Sequence, residues 1–245
     1  MQQPDVSIII PAYNEAERIS SSLDKALEYL REQTFTWEVI VVDDGSTDDT
    51  ARIVRLYSPH VRVLEQGVNR GKGAAVRRGM MESTGAYRVF TDADFSTPIS
   101  ELPKVLTKLR DGADVCIGSR RLDPDSLKVH QPWYRELIGI VGNKIISAVL
   151  FSGIEDTQCG FKGLTASATK ELFSIMKIDG FGFDAELLFL AKRARMKIAQ
   201  VPVDWYNDER SRLNPIRDSL RTLMEVLKIR SLHSSVTMRE VETSK

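Results

Sequence analysis

WEVIVVDDGSTDDT, Trp37 to Thr50, is an apolar β-branched run that stops on two acids, then passes through Gly45 and Ser46 into residues that favour helix starts. A strand with one wet face alternates apolar and polar side chains. Val39 to Val42 does not, so it predicts a strand covered on both faces. Ser46 or Thr47 is the expected cap of the following helix, with Asp48 and Asp49 in its first turn, against the positive end of its dipole.

The same unit recurs on either side. Upstream, VSIII (Val6 to Ile10) reads as a buried strand stopped by Pro11, and Ile19, Leu23, Leu27 and Leu30 recur at helical spacing over residues 15–32. Downstream come VRVLEQ as strand, GKGAAVRRGMMEST as helix and AYRVFTDAD as strand. A helix through Ile99, Leu102, Leu106 and Leu109 then leads to ADVCIGSRR, a strand ending at Arg120 and Arg121. Strands alternating with helices of this length predict an α/β fold, a doubly wound, mostly parallel sheet, in which ligands bind at the carboxyl ends of the strands. Pro11 to Glu15, Asp43-Asp44 and Asp92-Ala93-Asp94 each follow a strand, so all three should meet along one sheet edge.

Past Arg121 the composition changes. Residues 122–136 are polar with two prolines and read as a loop. Residues 137–152 form an apolar helix interrupted by Asn143 and Lys144, poor as a membrane span and better as a buried or interfacial helix. DTQCGFKGLTA reads as loop and strand, GFGFDAELLFLAKRA as a loop entering a buried helix, and KIAQVPVDW as an edge strand around Pro202. Ile216, Leu220, Leu223, Met224 and Leu227 mark an amphipathic helix with Arg217, Arg221, Lys228 and Arg230 on or near its polar side. The tail after Ser231 lacks a pattern and is expected to be mobile.

Composition narrows the function classes. With 34 basic and 34 acidic residues there is no global field to attract nucleic acid, so any anion binding is local. Cys116 and Cys159 lie far apart without metal-ligand spacing and read as reduced thiols in a cytosolic setting. The start MQQPDVSIII has no basic segment ahead of an apolar stretch, so a cleaved signal peptide is not expected. His60, His130 and His233 are scattered and read as exposed loop residues.

The chemistry gathers in VFTDADFSTP, Val89 to Pro98. Two carboxylates at a strand exit repel one another unless a positive charge sits beside them. A hard divalent cation, Mg2+ or Mn2+, meets that need, since it takes oxygen ligands and completes its shell with water and substrate phosphates. Taken alone, Asp92 and Asp94 read more readily as a solvated strand end or an Asp turn than as a metal site. Tyr13 could stack on a nucleobase, while Asp43 or Asp44 could accept N–H groups of a base or ribose hydroxyl protons. In NRGKGAA, Lys72 lies between two glycines ahead of a helix, where ammonium and backbone amides could receive negative charge. It is not a P-loop: three residues rather than four lie between Gly67 and Gly71, and Gly73 follows the lysine.

SIIIPAYNE, VIVVDDGSTDDT, NRGKGAAVRRGM, FTDADFSTP, IGSRR, DTQCGFK and FDAELLFLAKR, in that order, resemble the inverting family-2 glycosyltransferases of GT-A fold. Within them the chain is most similar to the dolichyl-phosphate β-glucosyltransferase (polyprenyl-phosphate glycosyltransferase) group, over about residues 6–213. The resemblance implies a GT-A domain over 1–213, with a nucleotide-binding half to about 120 and an acceptor-binding half to 213. An amphipathic helix at 214–233 and a mobile tail at 234–245 would follow. It implies that Pro11, Tyr13 and Glu15 form the first nucleotide loop, Asp43 and Asp44 the second, and Lys72 the glycine-flanked basic position. Asp92 and Asp94 match the metal and diphosphate motif, with Ala93 against the nucleotide. Arg120 matches a basic residue near the donor or acceptor phosphate, Gln158 and Lys162 a loop facing the acceptor, and Arg212 a diphosphate contact where relatives often carry lysine.

The implied reaction moves a hexose, glucose from UDP-glucose with GDP-mannose as the other candidate donor, onto a polyprenyl phosphate at the cytoplasmic face of a membrane. A hydroxyl acceptor needs a carboxylate base; a lipid phosphate, largely ionised at neutral pH, does not. Arg120, Arg135, Lys162 and Arg212 are the expected counter-charges. Asp184 and Glu186 are weighed both as sugar-pocket or base residues and as helix-start residues, Asp184 as the cap and Glu186 in the first turn. A lipid acceptor requires the membrane surface as partner, which the helices at 137–152 and 216–229 fit as well as they fit core packing. The alternatives are the same fold with a saccharide or small-molecule hydroxyl acceptor, and a non-catalytic nucleotide-sugar binding module.

Overall fold

The computed structural model describes residues 3–129, 142–146, 149–207 and 215–234. In chain order the elements are β1 (Val6–Ala12), α1 (Ile19–Arg31), β2 (Trp37–Asp43), α2 (Thr50–Arg55), β3 (Val61–Glu65), α3 (Lys72–Glu82), β4 (Tyr87–Phe90), α4 (Leu102–Arg110) and β5 (Val115–Ser119). They continue with β6 (Leu127–Val129), β7 (Lys162–Thr165), α5 (Ala166–Phe173), α6 (Phe183–Arg193), β8 (Ile198–Pro202), β9 (Trp205–Tyr206) and α7 (Pro215–Leu232).

Seven strands form one sheet in the order β3-β2-β1-β4-β7-β5-β8, and β6 pairs with β9 in a small second sheet. Strand β7 runs antiparallel to β4 and β5, while the other pairs of the large sheet are parallel. Every residue of β1 is buried. Alternate side chains enter opposite layers: Ile9 packs with Val42, Met80, Phe90 and Phe183, whereas Ile8 and Ile10 pack with Leu23, Val41 and Val105. Helices therefore cover both faces, as the unalternating apolar runs require. The order of connections reverses between β1 and β4, so the loops after these strands flank the crevice where such sheets bind ligands.

Local differences from the sequence reading have identifiable causes. Strand β1 continues through Pro11 to Ala12 instead of stopping. Pro11 has the parity of Ile9, whose carbonyl accepts from Thr91 N on the β4 side, and β1–β4 pairing has already ended at Phe90. Its missing N–H thus deprives no ladder bond. Strand β4 ends at Phe90, not at Asp94, because Phe95 N donates to Asp92 O and Phe95 takes φ 48°, closing a turn that carries both acids. Helix α2 begins at Thr50 with Asp49 at its N-cap. Ser46 Oγ instead accepts from Asn14 N, and Thr47 N donates to Asn14 Oδ1, which locks the loop after β1 to the loop after β2. Helix α1 starts at Ile19, since Glu15 to Arg18 form the turn leaving β1.

Within the expected loop 122–136, Leu127–Val129 form β6, paired with the short β9; residues 130–136 lie outside the described part. Of the expected helix 137–152, residues 142–146 and 149–150 are helical, and Ile146 and Leu150 pack into the core. Both cysteines are buried and free; burial pushes the Cys116 thiol up to about 12 and the Cys159 thiol to about 11, so both are inert. His233 is not an exposed loop residue. It is fully buried at the end of α7, with Nε2 2.6 Å from Glu186 Oε1.

Candidate active site

A cavity of about 390 Å3 opens at the crevice predicted from the strand order. Pro11 lines it from the end of β1, Tyr13 and Glu15 from the loop that follows, Lys72 from the start of α3, and Asp92, Ala93 and Asp94 from the turn after β4. Asp44 reaches its wall from the loop after β2. Residues separated by some eighty positions in sequence thus share one wall, because parallel strands bring all their carboxyl ends to the same edge.

The two acids after β2 have different duties. Asp44 accepts from Gln66 Nε2 at 2.6 Å, Arg70 N at 2.8 Å and Gly71 N at 2.9 Å, so it holds the loop that leads into Lys72. Gly45 makes this possible. Its φ is +71°, and a Cβ there would lie 2.4 Å from the Val68 carbonyl carbon, so only glycine lets the loop come so close. Asp43, 3% exposed, accepts from Ser46 N through Oδ2, while Oδ1 has no hydrogen-bond partner among the described residues. A buried carboxylate oxygen without a donor is costly and is suited to receive an N–H or O–H from a ligand.

Charges around the acidic turn are paired closely. Lys72 Nζ lies 2.5 Å from Asp92 Oδ1. Burial alone would lower the Lys72 ammonium, but the charges of Asp92, Asp184 and Asp94 hold it above its ordinary value. Asp94 accepts from Ser96 N through Oδ1, and its Oδ2 lies 3.7 Å from Arg18 Nη1. Burial, and then the charge of Asp92, raise the Asp94 carboxyl above the usual carboxylate range. Two crowded carboxylates on one cavity wall are a donor set that fits a hard divalent cation completed by water and phosphate oxygens. No cluster of three or more potential ligands occurs among the described residues, so Asp92 and Asp94 would supply the protein's share. Gly160 gives Asp92 its room: a Cβ there would sit 2.1 Å from Asp92 Oδ2.

Arg120, Lys162 and Asp184 fall into a second, drier layer. Arg120 is not a free cation. Its Nε and Nη2 hold Asp156 at 2.7 and 2.9 Å, and its guanidinium lies 5.6 Å from the Trp205 ring centre. Lys162 is not in a loop; it opens β7, is fully buried, and places Nζ 2.5 Å from Asp184 Oδ1 and 2.5 Å from Cys159 O. An ammonium so enclosed cannot meet an acceptor phosphate directly. Burial raises the Asp184 carboxyl against the opposing pull of Lys162 and Lys72. Asp184 does not cap α6, whose N-cap is Gly182. Glu186 accepts from Lys177 N, Ile178 N and His233, so it braces the loop ahead of α6 and is no free base. Gln158 is half-buried away from the cavity lining. Arg135 and Arg212 lie outside the described residues.

Three lining contributions were not anticipated. Arg18 pairs bidentately with Glu15, a signal present in the E-x-x-R spacing. Gly180 and Phe181 form part of the wall just ahead of α6, and Arg221 of α7 reaches the same cavity.

The glycosyl transferase family 2 model matches residues 7–173, the span that holds the sheet edge and the acidic turn. The chain belongs to this family. It is 36% identical over 239 residues to a dolichyl-phosphate beta-glucosyltransferase of Trichomonas vaginalis, covering 91% of this chain and 72% of that one. The human dolichyl-phosphate beta-glucosyltransferase is 34% identical over 257 residues, covering 98% and 79%. Among solved structures, glucosyl-3-phosphoglycerate synthase from Mycobacterium tuberculosis with Mn2+, UDP and glucosyl-3-phosphoglycerate superposes with a TM-score of 0.64 at 22% identity, over 91% of this chain and 80% of that one. That likeness establishes the shared fold. This family-2 transferase is therefore a single α/β domain of GT-A type with a C-terminal helix against it.

Proposed function

We propose that this glycosyltransferase moves glucose from UDP-glucose to a polyprenyl phosphate of the dolichyl type, by single displacement with inversion. One observation carries the choice of acceptor: among the described residues, no carboxylate on the cavity wall stands uncommitted and placed to act as a base. Glu15 is held by Arg18, Asp44 by the loop amides, and Asp184 and Glu186 are buried in contacts of their own. A hydroxyl acceptor needs such a base, whereas an ionised phosphate attacks without losing a proton. The relatives named above carry the same activity in their names.

Tyr13, 44% exposed at the cavity, would stack on the uracil, and the spare Oδ1 of Asp43, just behind the cavity wall, would accept from it. Lys72 offsets charge on the diphosphate. Asp92 and Asp94 would hold Mg2+ or Mn2+, which, when bound, supplies neutralisation of the leaving diphosphate. The mycobacterial synthase described above, of the same fold, holds Mn2+ together with UDP, which accords with a divalent cation beside the diphosphate. With the donor fixed, the protein's remaining task is to hold two phosphate groups in line and offset their repulsion.

Helix α7 supports contact with a membrane surface. Val226 and Ile229 pack into the core, while Leu220, Met224 and Leu227 stay 57%, 57% and 58% exposed beside the exposed Arg221, Lys228 and Arg230. No helix among the described residues is long and apolar enough to cross a membrane. The reading is thus a catalytic body over 1–213 lying peripherally on the cytoplasmic face of a membrane, with helix 214–233 against the interface.

The test is transfer of labelled glucose from UDP-glucose to dolichyl phosphate in detergent and in liposomes, with Mn2+ and with chelator. Metal-dependent formation of a β-linked glucosyl lipid phosphate supports the reading. Glucosylation of soluble hydroxyl acceptors only, or donor binding without transfer to any acceptor, would replace it with the corresponding alternative.

A further inference from the structure

We infer that Arg221, on the C-terminal helix, is a substrate-binding residue that receives the acceptor's phosphomonoester at the cavity mouth. This rests on the reading of the acceptor as a phosphate compound. The cations lining the cavity are otherwise committed: Lys72 lies 2.5 Å from Asp92, and Arg18 holds Glu15 at 2.8 Å with Asp94 at 3.7 Å. Deeper in, Arg120 is bound to Asp156 and Lys162 to Asp184. Arg221 is 64% exposed, and the carboxylate nearest it among the described residues, Glu225, places Oε1 3.5 Å from its Nε, too long for a strong charge-assisted bond. A dianion entering the cavity that Asp92 and Asp94 line meets two negative groups, and among the described residues Arg221 is the lining cation least occupied by other partners.

The helix that carries it is held by the same neighbour. Glu225 Oε2 accepts from Gly182 N at 2.8 Å, and Gly180 leaves the space in which that carboxylate sits, since a Cβ there would lie 2.1 Å from Oε1. One carboxylate therefore ties α7 to the Gly180–Gly182 wall and sets the height at which Arg221, one helical turn away, meets the cavity. Met224, one turn along the exposed face, continues the apolar stripe from the arginine, so a phosphate head at Arg221 leaves its apolar tail a path along Leu220, Met224 and Leu227. A planar guanidinium suits this task because it can bind a phosphate through paired N–H groups.

The experiment compares Arg221→Gln, Arg221→Lys and Glu225→Ala with the unaltered enzyme and with Lys25→Gln, an exposed cation on α1. Steady-state kinetics are run with a polyprenyl phosphate in micelles and, separately, with glycerol 3-phosphate, while UDP binding in Mn2+ is followed by calorimetry. Loss of one charge-assisted phosphate contact corresponds to about a 10-fold to 100-fold rise in acceptor KM. Expected is that rise for Arg221→Gln with UDP affinity unchanged, partial recovery with lysine, a similar KM rise for Glu225→Ala, and no change for Lys25→Gln. An unchanged acceptor KM, an effect confined to kcat, or an equal loss of UDP affinity would overturn the inference and leave the proposed reaction intact. If the unaltered enzyme uses only the soluble phosphate compound, the lipid acceptor is refuted, and Arg221 is judged by KM for that compound instead.

Discussion

Lys72 Nζ and Asp92 Oδ1 are 2.5 Å apart although twenty residues separate them, because the start of α3 and the turn after β4 open onto the same sheet edge. The contact gives Asp92 a cationic neighbour before any ligand arrives, and it makes the acidic turn accessible to direct tests.

Replacing Asp92 or Asp94 with asparagine keeps the side-chain volume but removes the charge that a divalent cation requires. Transfer should fall by at least about 10^2-fold, the size seen when one electrostatic contact to a developing charge is lost. The Mn2+-dependent rise in melting temperature with UDP should disappear. Retention of both in either variant would remove the metal assignment.

Gly160→Ala separates geometry from charge. The new methyl would crowd the Asp92 carboxylate, the movable end of a side chain, so the fold can yield without a backbone shift. Transfer should drop by about 10-fold or more while urea unfolding changes by less than about 1 kcal/mol, as for substitutions without core disruption. A large loss of stability with normal turnover of the folded fraction would show that Asp92 does not depend on this space.

The Lys162–Asp184 pair is buried at 0% and 6% side-chain exposure. Lys162→Met leaves a carboxylate in a dry site and should cost about 3–5 kcal/mol, whereas the double change Lys162→Met with Asp184→Asn should recover much of it. Chemical denaturation measures both. If the single and double variants are equally destabilised, packing rather than charge holds this layer together.

Arg120 and Asp156 predict a specific acid dependence. Burial would raise the Asp156 carboxyl, but the Arg120 charge and hydrogen bonds prevail and bring it to about 2, below the ordinary 3.8. A depressed carboxylate stabilises the fold above its unfolded value, and that contribution disappears as pH falls through the folded value. The gap in stability between the native chain and Asp156→Asn should thus narrow by about 2 kcal/mol as pH drops from about 4.5 to about 2. A gap independent of pH over that range would contradict the pairing.

What the chain states on its own is its layering and its chemistry. Apolar runs such as Val6–Ile10 and Val39–Val42 can only be strands covered on both faces, and once such strands alternate with helices, the acids that follow them must gather at one edge. Pro11, Tyr13, Glu15, Lys72, Asp92 and Asp94 were legible for that reason, and the structure brings them to one cavity. Pairing was not legible, because an ion pair depends on which distant segments become neighbours. Lys162 looked like a loop cation until the antiparallel strand β7 carried it inward to Asp184. Likewise Asp43 and Asp44 are equivalent as letters, and only the close approach allowed by Gly45 commits one to the loop and leaves the other an oxygen to spare. Arg221 sits on α7, whose spacing foretold a packed face, and His233 just past its end. The fold alone decided that this face would bury the histidine against Glu186 and present the arginine at the cavity. Periodicity is a local property that a chain carries in its own order; the sharing of charges is settled by tertiary proximity, which order alone does not contain.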